Sequence, residues 1–139
     1  MFPDPNSITR VTSLGAGPIG GGWSAHFLAR GYDVTAYLHD ANETDAFMRV
    51  LTTAWRSLTD LGLAQGASLD RLRIVTDLQE ALESAEFVQE SGPERLEIKQ
   101  ALYRQMGNIL PPSVVIGSST SGLMMSDIQA DCTTPERTV

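Results

Sequence analysis

The stretch SLGAGPIGGGWSAHFLARG, residues 13–31, decides how the chain is read. Gly15, Gly17 and Gly20 stand in the pattern G-x-G-x-x-G. Before them, ITRVTSL (8–14) is rich in β-branched residues and reads as a strand. After them, Ile19, Trp23, Phe27 and Arg30 fall at helical spacing, and Gly31 marks a C-terminal stop. A strand, a glycine turn and a helix in this order give each glycine a separate task. Gly15 permits the tight turn, Gly17 lets the backbone approach a pyrophosphate, and Gly20 lets the helix pack closely on the sheet. The pyrophosphate would sit at the helix N-terminus, held by unpaired N–H groups and the helix dipole. Gly15, Gly17, Pro18, Ile19 and Gly20 are therefore the expected dinucleotide cradle. Gly21 and Gly22 read as packing positions. A Walker-type phosphate loop is excluded, because no Gly-Lys-Ser/Thr follows and the only lysine is Lys99.

Working outward, the prolines and asparagine of residues 1–7 read as an unstructured lead-in. YDVTAYL (32–38) is a second strand. In NETDAFMRVLTTAWRSLTDLG, the residues Phe47, Leu51, Ala54, Leu58 and Leu61 form the stripe of an amphipathic helix. RLRIVT is a short strand, and DLQEALESA a short helix that Asp77 caps. EFVQE (86–90) is a fourth strand. Ser91, Pro93 and Glu94 carry a capping-box signature for a helix whose buried face is Ile98, Leu102 and Met106. SVVIGSS is a fifth strand and SDIQADC one more helix. The expected fold is therefore α/β: a Rossmann-type doubly wound parallel sheet in three α/β/α layers, one domain spanning residues 1–139. No Asn-Gly hairpin signal argues for an α+β alternative.

Composition narrows the partners. Hydrophobic residues at 42% and charged residues at 19% describe an ordinary globular protein. A formal net charge of −7 argues against nucleic acid. One cysteine, Cys132, excludes an internal disulfide and fits a reducing compartment. No secretory leader and no apolar run of membrane-spanning length stand in the sequence, so the expected location is cytoplasmic, with no membrane partner.

The end of the second strand departs from the dinucleotide pattern. An acidic residue is expected there to hold the ribose hydroxyls of NAD. AYLHD places Leu38 at that position, with Asp40 two residues later. Asp40 takes over if the strand ends late or carries a bulge. No arginine stands beside the site, Arg49 being the nearest downstream, so NAD is preferred to NADP. His39 reads as an exposed loop residue or an adenine-stacking one.

With these motifs in place, the chain resembles the 3-hydroxyacyl-CoA dehydrogenase superfamily, and within it the branch of L-carnitine dehydrogenase and lambda-crystallin. GAGPIGGGWSAHFLARGYDV, FVQESGPERLEIKQALY and PPSVVIGSSTSGLMMSDI carry the resemblance across almost the whole chain. It implies hydride transfer between NAD and the carbinol carbon of a 3-hydroxy acid, or its acyl-CoA or betaine analogue. It implies further that Glu94 and Lys99 contact the nicotinamide-ribose side and that Ser121 is the active-site serine. Ser119 stands where many relatives have asparagine. On the residues alone, Glu94 is a helix cap, Lys99 a solvated charge and Ser121 a loop serine capping the next helix. The family's last strand with its catalytic histidine, and its C-terminal helical domain, are expected beyond PERTV. These 139 residues alone are accordingly expected to bind NAD without efficient turnover. Apolar surface left by the missing domain would favour self-association, in the simplest case as a homodimer. The alternative is a stand-alone nucleotide-binding or structural domain without chemistry.

Overall fold

The computed structural model describes residues 1–139. Five strands, β1 (Arg10–Leu14), β2 (Asp33–Tyr37), β3 (Leu72–Val75), β4 (Phe87–Glu90) and β5 (Val115–Ser118), form one sheet in the order β3-β2-β1-β4-β5. Every pairing is parallel, with Leu14 opposite both Tyr37 and Glu90. The helices are α1 (Pro18–Ala29), α2 (Thr44–Leu61), α3 (Leu78–Leu82), α4 (Leu96–Ile109) and α5 (Met125–Ile128). This is the doubly wound sheet expected from the alternation of strand and helix patterns. No helix is long and apolar enough to cross a membrane.

Side chains alternate across the sheet and build two cores. On one face Val34, Ala36 and Leu38 pack with Ala25 and Leu28 of α1 and with Phe47 and Leu51 of α2. On the other, Leu14, Val88 and Ile116 pack with Leu82 of α3, Tyr103 and Met106 of α4 and Ile128 of α5. Strand order reverses direction at β1, so its neighbours' C-terminal ends open a crevice there, where α/β sheets take ligands.

Several local expectations are corrected. β1 begins at Arg10, and the lead-in contains a 3₁₀ turn at Pro5–Ser7 that Asp4 caps. The helical spacing of Ile19, Trp23 and Phe27 is that of α1, and Ile19 and Trp23 lie on its outward side. Ile19 is 57% and Trp23 37% exposed, with Trp23 stacked on Phe27 at 5.4 Å. The buried face is Gly20, Gly21, Ser24, Ala25, Leu28 and Ala29. Close packing selects small residues there: a Cβ on Gly21 would stand 2.6 Å from Val50 Cγ1 of α2. In α2, Phe47 and Leu51 are buried as the stripe requires, but Leu61 is 84% exposed because the helix outruns the sheet.

A sixth strand is absent as a full element, yet its first rung is present. Thr138 bridges Ile116 in parallel, Val139 N–H donates to Ile116 O at 2.9 Å, and Ser118 N–H donates to Val139 O at 2.8 Å. Arg137, buried just before this rung, donates to Met106 O at 3.2 Å and Leu110 O at 3.3 Å. A cation thus stands on the last carbonyls of α4, where the helix dipole favours it.

The orientation of α2 can be checked by urea unfolding. Phe47→Ala is expected to cost about 3–5 kcal/mol, whereas Leu61→Ala should stay within about 0.5 kcal/mol.

Candidate functional site

The turn after β1 is set by backbone crowding. Gly15 has φ +124°, a conformation side chains disfavour, and its N–H donates to Tyr37 O at 3.1 Å. A Cβ on Gly15 would collide with the Ser91 carbonyl, and a Cβ on Gly20 with the Gly15 carbonyl. Both glycines are thus required by the fold itself. Gly17 is different: its backbone is extended, and a Cβ there would meet no atom within 4 Å. It precedes the first helical bond, Gly21 N–H to Gly17 O at 2.9 Å. Pro18 takes the first turn of α1, which carries no acidic side chain and no side-chain cap. Ile19 and Gly20 therefore offer their N–H groups at an uncapped helix N-terminus, suited to an anion. Gly22, expected to be a packing residue, faces open space; only Gly21 packs.

At the ribose end, β2 stops at Tyr37 in unbroken register with β1, so the late end or bulge expected to bring Asp40 forward does not occur. Leu38 is fully buried in the α1–α2 core. Asp40 is exposed and caps a 3₁₀ turn at Ala41–Glu43, accepting from Asn42 N–H at 2.8 Å through Oδ1; Glu43 returns the capping box. The Tyr37 phenol is pushed up first by burial and then by the carboxylates of Asp77 and Glu43. His39 lies exposed in the loop.

The loops after β4 and β5 meet. The capping box expected from Ser91 and Glu94 does not form: α4 starts at Leu96 with Arg95 as an N-cap that lends no side chain. Ser91 Oγ instead hydrogen-bonds Ser119 Oγ at 2.8 Å, Gln89 Nε2 donates to Ser119 Oγ at 3.0 Å, and Thr120 Oγ1 donates to Glu94 Oε1. Longer-range partners across the two loops outcompete the local cap. Ser121 is exposed on the same loop, and since Met124 is the N-cap of α5 without a side-chain bond, Ser121 is no helix cap.

Lys99 requires a correction. Expected as a cofactor contact, or else as a solvated charge, it is 1% exposed and its Nζ donates to Glu90 Oε1 at 2.7 Å. It stands one turn into α4, so the solvated charge expected from the residues alone is not what the structure shows. The acid it pairs with was not singled out from sequence, where Glu90 reads only as the last residue of a strand. Ser118 was likewise missed, though its Oγ donates to Glu90 Oε2 at 2.7 Å. The signal that could have found Glu90 is an acid ending a strand nine residues before the chain's only lysine; Ser118 carries none. The Tyr103 phenol, fully buried on α4, is pushed well up by burial and secondarily by the Glu90 charge.

A parallel sheet with a crowded G-x-G-x-x-G turn, an uncapped helix N-terminus and two polar loops at the switch point defines a dinucleotide-binding α/β protein. Comparison with known proteins is more specific. Residues 10–139 match the family described as 3-hydroxyacyl-CoA dehydrogenase, NAD binding domain, and the chain belongs to that family. It is 50% identical over 135 residues to the L-carnitine dehydrogenase of Streptomyces coelicolor, covering 97% of this chain and 42% of that enzyme. It is 42% identical over 138 residues to the L-carnitine dehydrogenase of Pseudomonas putida, covering 99% of this chain and 43% of that one. The crystal structure of 3-hydroxybutyryl-CoA dehydrogenase from Escherichia coli K12 superposes with a TM-score of 0.83 at 29% identity, over 95% of this chain and 29% of that one. The chain thus spans about two fifths of the length of the curated relatives it matches. Its cofactor is NAD.

The two kinds of glycine separate in a stability measurement. Gly20→Ala is expected to cost about 1–3 kcal/mol by overpacking, while Gly17→Ala should leave the unfolding free energy in urea within about 0.5 kcal/mol of the parent.

Proposed function

We propose that the chain holds NAD along the crevice from Gly15 to Ser121 and serves hydride transfer to and from a 3-hydroxy acid of the carnitine kind. The observation that carries the reading is Gly17, a glycine that nothing inside the protein requires, placed at an uncapped helix N-terminus. The arrangement fits a pyrophosphate, because a Cβ at Gly17 would fill the space a phosphate needs. Bound NAD supplies the hydride acceptor.

The chain's own residues then divide the work. Ile19 and Gly20 N–H groups hold the pyrophosphate without a charged side chain. Pro18 fixes the first turn of α1. Asp40, the first acid after Leu38, holds the adenosine ribose from the exposed turn that it caps. Glu94, tethered by Thr120, and Ser119, tethered by Ser91 and Gln89, frame the nicotinamide side. Ser121 donates to, or accepts from, the reacting oxygen. Alcohol oxidation also requires a base for the hydroxyl proton. His26 lies about 13 Å along the axis of α1 from Gly17, by helix rise alone, and His39 follows the buried Leu38. Neither stands on the loops that carry Ser121. These residues therefore bind and orient, and the proton acceptor comes from elsewhere in the protein. The substrate is a small molecule, and self-association as a homodimer belongs to the same proposal.

Leu38 favours a second reading, in which the fold persists as architecture without a nucleotide. Calorimetric titration of the chain decides between the two. NADH is expected to bind saturably and more tightly than NADPH; Gly17→Ala should weaken NADH at least tenfold, and Asp40→Asn about two- to tenfold, the range of a single lost hydrogen bond. Hydroxyacid-dependent NADH production by the chain alone should be undetectable. Absence of binding by either nucleotide would leave the architectural reading.

A further inference from the structure

We propose that Glu90 is the positioning residue of this site: its buried carboxylate, with Lys99 as counter-ion, ties the loop after β4 to the loop after β5. The inference rests on reading those two loops as the nicotinamide half of the dinucleotide site.

Glu90 is fully buried and Lys99 is 1% exposed. Three donors from three segments converge on the one carboxylate. Oε1 accepts from Lys99 Nζ of α4 at 2.7 Å and from the Gly92 N–H at 2.6 Å. Oε2 accepts from Ser118 Oγ at the end of β5 at 2.7 Å. Ser118 Oγ in turn accepts from Thr120 N–H at 3.1 Å, and Glu90 O accepts from Ser119 N–H at 2.8 Å. Gly92 belongs to the stretch that leads to Glu94, and Thr120 to the stretch that leads to Ser121. The two stretches proposed to frame the nicotinamide are therefore both hung on one side chain.

Only an ionised carboxylate accepts from an ammonium, an amide N–H and a hydroxyl together; an amide side chain would turn an NH₂ group toward at least one of them. Desolvation makes a buried ion pair a poor source of stability, since an apolar pair of similar volume is often as stable or more so. Its presence here is explained by geometry. Glu90 is fully buried and bonded to both loops, so its carboxylate acts through the loops that it ties.

The test uses the double variant Glu90→Gln/Lys99→Met, which removes both buried charges and so avoids leaving one unpaired, beside Ser118→Ala. The control is Leu82→Ala, which weakens the core of α3 without touching the tie. Amide hydrogen exchange at Gly92 and Thr120 is read against Val11 and Val34 in the sheet, and NADH affinity by calorimetry. In the double variant, exchange at Gly92 and Thr120 is expected to quicken at least tenfold more than at Val11 and Val34, and NADH affinity to fall at least tenfold. Ser118→Ala should reproduce the effect at Thr120 and spare Gly92; Leu82→Ala should do neither. The proposal is overturned if exchange at Gly92 and Thr120 only follows the sheet, or if affinity stays within twofold while the loops loosen. Failure of the parent chain to bind NADH would instead overturn the dinucleotide reading, and the exchange measurement would still show whether the tie exists.

Discussion

Three backbone segments pass one another at the end of β1 with no room for a side chain between them. The Ser91 carbonyl lies over Gly15, and the Gly15 carbonyl lies under Gly20. This close approach fixes the entry angle of α1 and seats the loop after β4 directly beside the turn. Everything the site does depends on that seating. With Cβ atoms at Gly15 and Gly20 the segments would separate, the N-terminus of α1 would tilt from the crevice, and Ser91 would lose its reach to Ser119. The crowding is a constraint of shape, and it is independent of any ligand. Gly17 is the exception that points outward, and the contrast between it and its two neighbours distinguishes a binding turn from a merely tight one.

The charge distribution follows the same logic. The chain carries a formal net charge of −7, and its single lysine is withdrawn into a buried pair with Glu90. Gly15 to Gly20 carry no cationic side chain of their own, and Arg49 of α2 lines the cleft beside Pro18 and Gly22; on the proposed reading the backbone N–H groups and the dipole of α1 give a pyrophosphate its main hold. A site of that kind depends on the exact aim of main-chain groups. A flexible lysine can follow a displaced phosphate; a peptide N–H cannot. Rigid seating of the turn and of the facing loops therefore matters more here than in a site built from long basic side chains.

The amino-acid pattern was enough to read the sheet, its parallel sense and the glycine turn, because each rests on local signals: β-branched runs, 3.6-residue spacing and glycine at a strand-to-helix junction. It misread what non-local packing decides. The spacing of Ile19 and Trp23 gives the helix but not its inward face, which is made of Gly20, Gly21, Ser24 and Ala25, since α1 lies too close to α2 for larger groups. Ser91 and Glu94 have the spacing of a capping box, but partners on the β5 loop, distant in sequence, take both side chains. Lys99 reads as a solvated charge on the residues alone, and it is found buried against Glu90. Glu90, at the end of a strand, carries only the faint signal of its distance from the chain's one lysine; its role appears when β4, β5 and α4 are brought together.

The end of β2 shows how the same constraint acts on specificity. A carboxylate at position 38 would lie among Ala25, Leu28, Phe47 and Leu51, and Leu38 is fully buried there. Burying a leucine of this size contributes about 1.5–3 kcal/mol, whereas an ionised side chain in the same place would require partners this core does not provide. Leu38 thus belongs to the α1–α2 core, and the first acid after it is Asp40, in an exposed turn. An acid that approaches the ribose from a loop is less firmly aimed than one at a strand end, so it discriminates between a free 2′-hydroxyl and a phosphorylated one chiefly by charge. On the proposed assignment of Asp40 to the ribose, selectivity for NAD would depend on ionic strength, while a pyrophosphate at the α1 N-terminus would be held by a turn set by the crowding of Gly15 and Gly20.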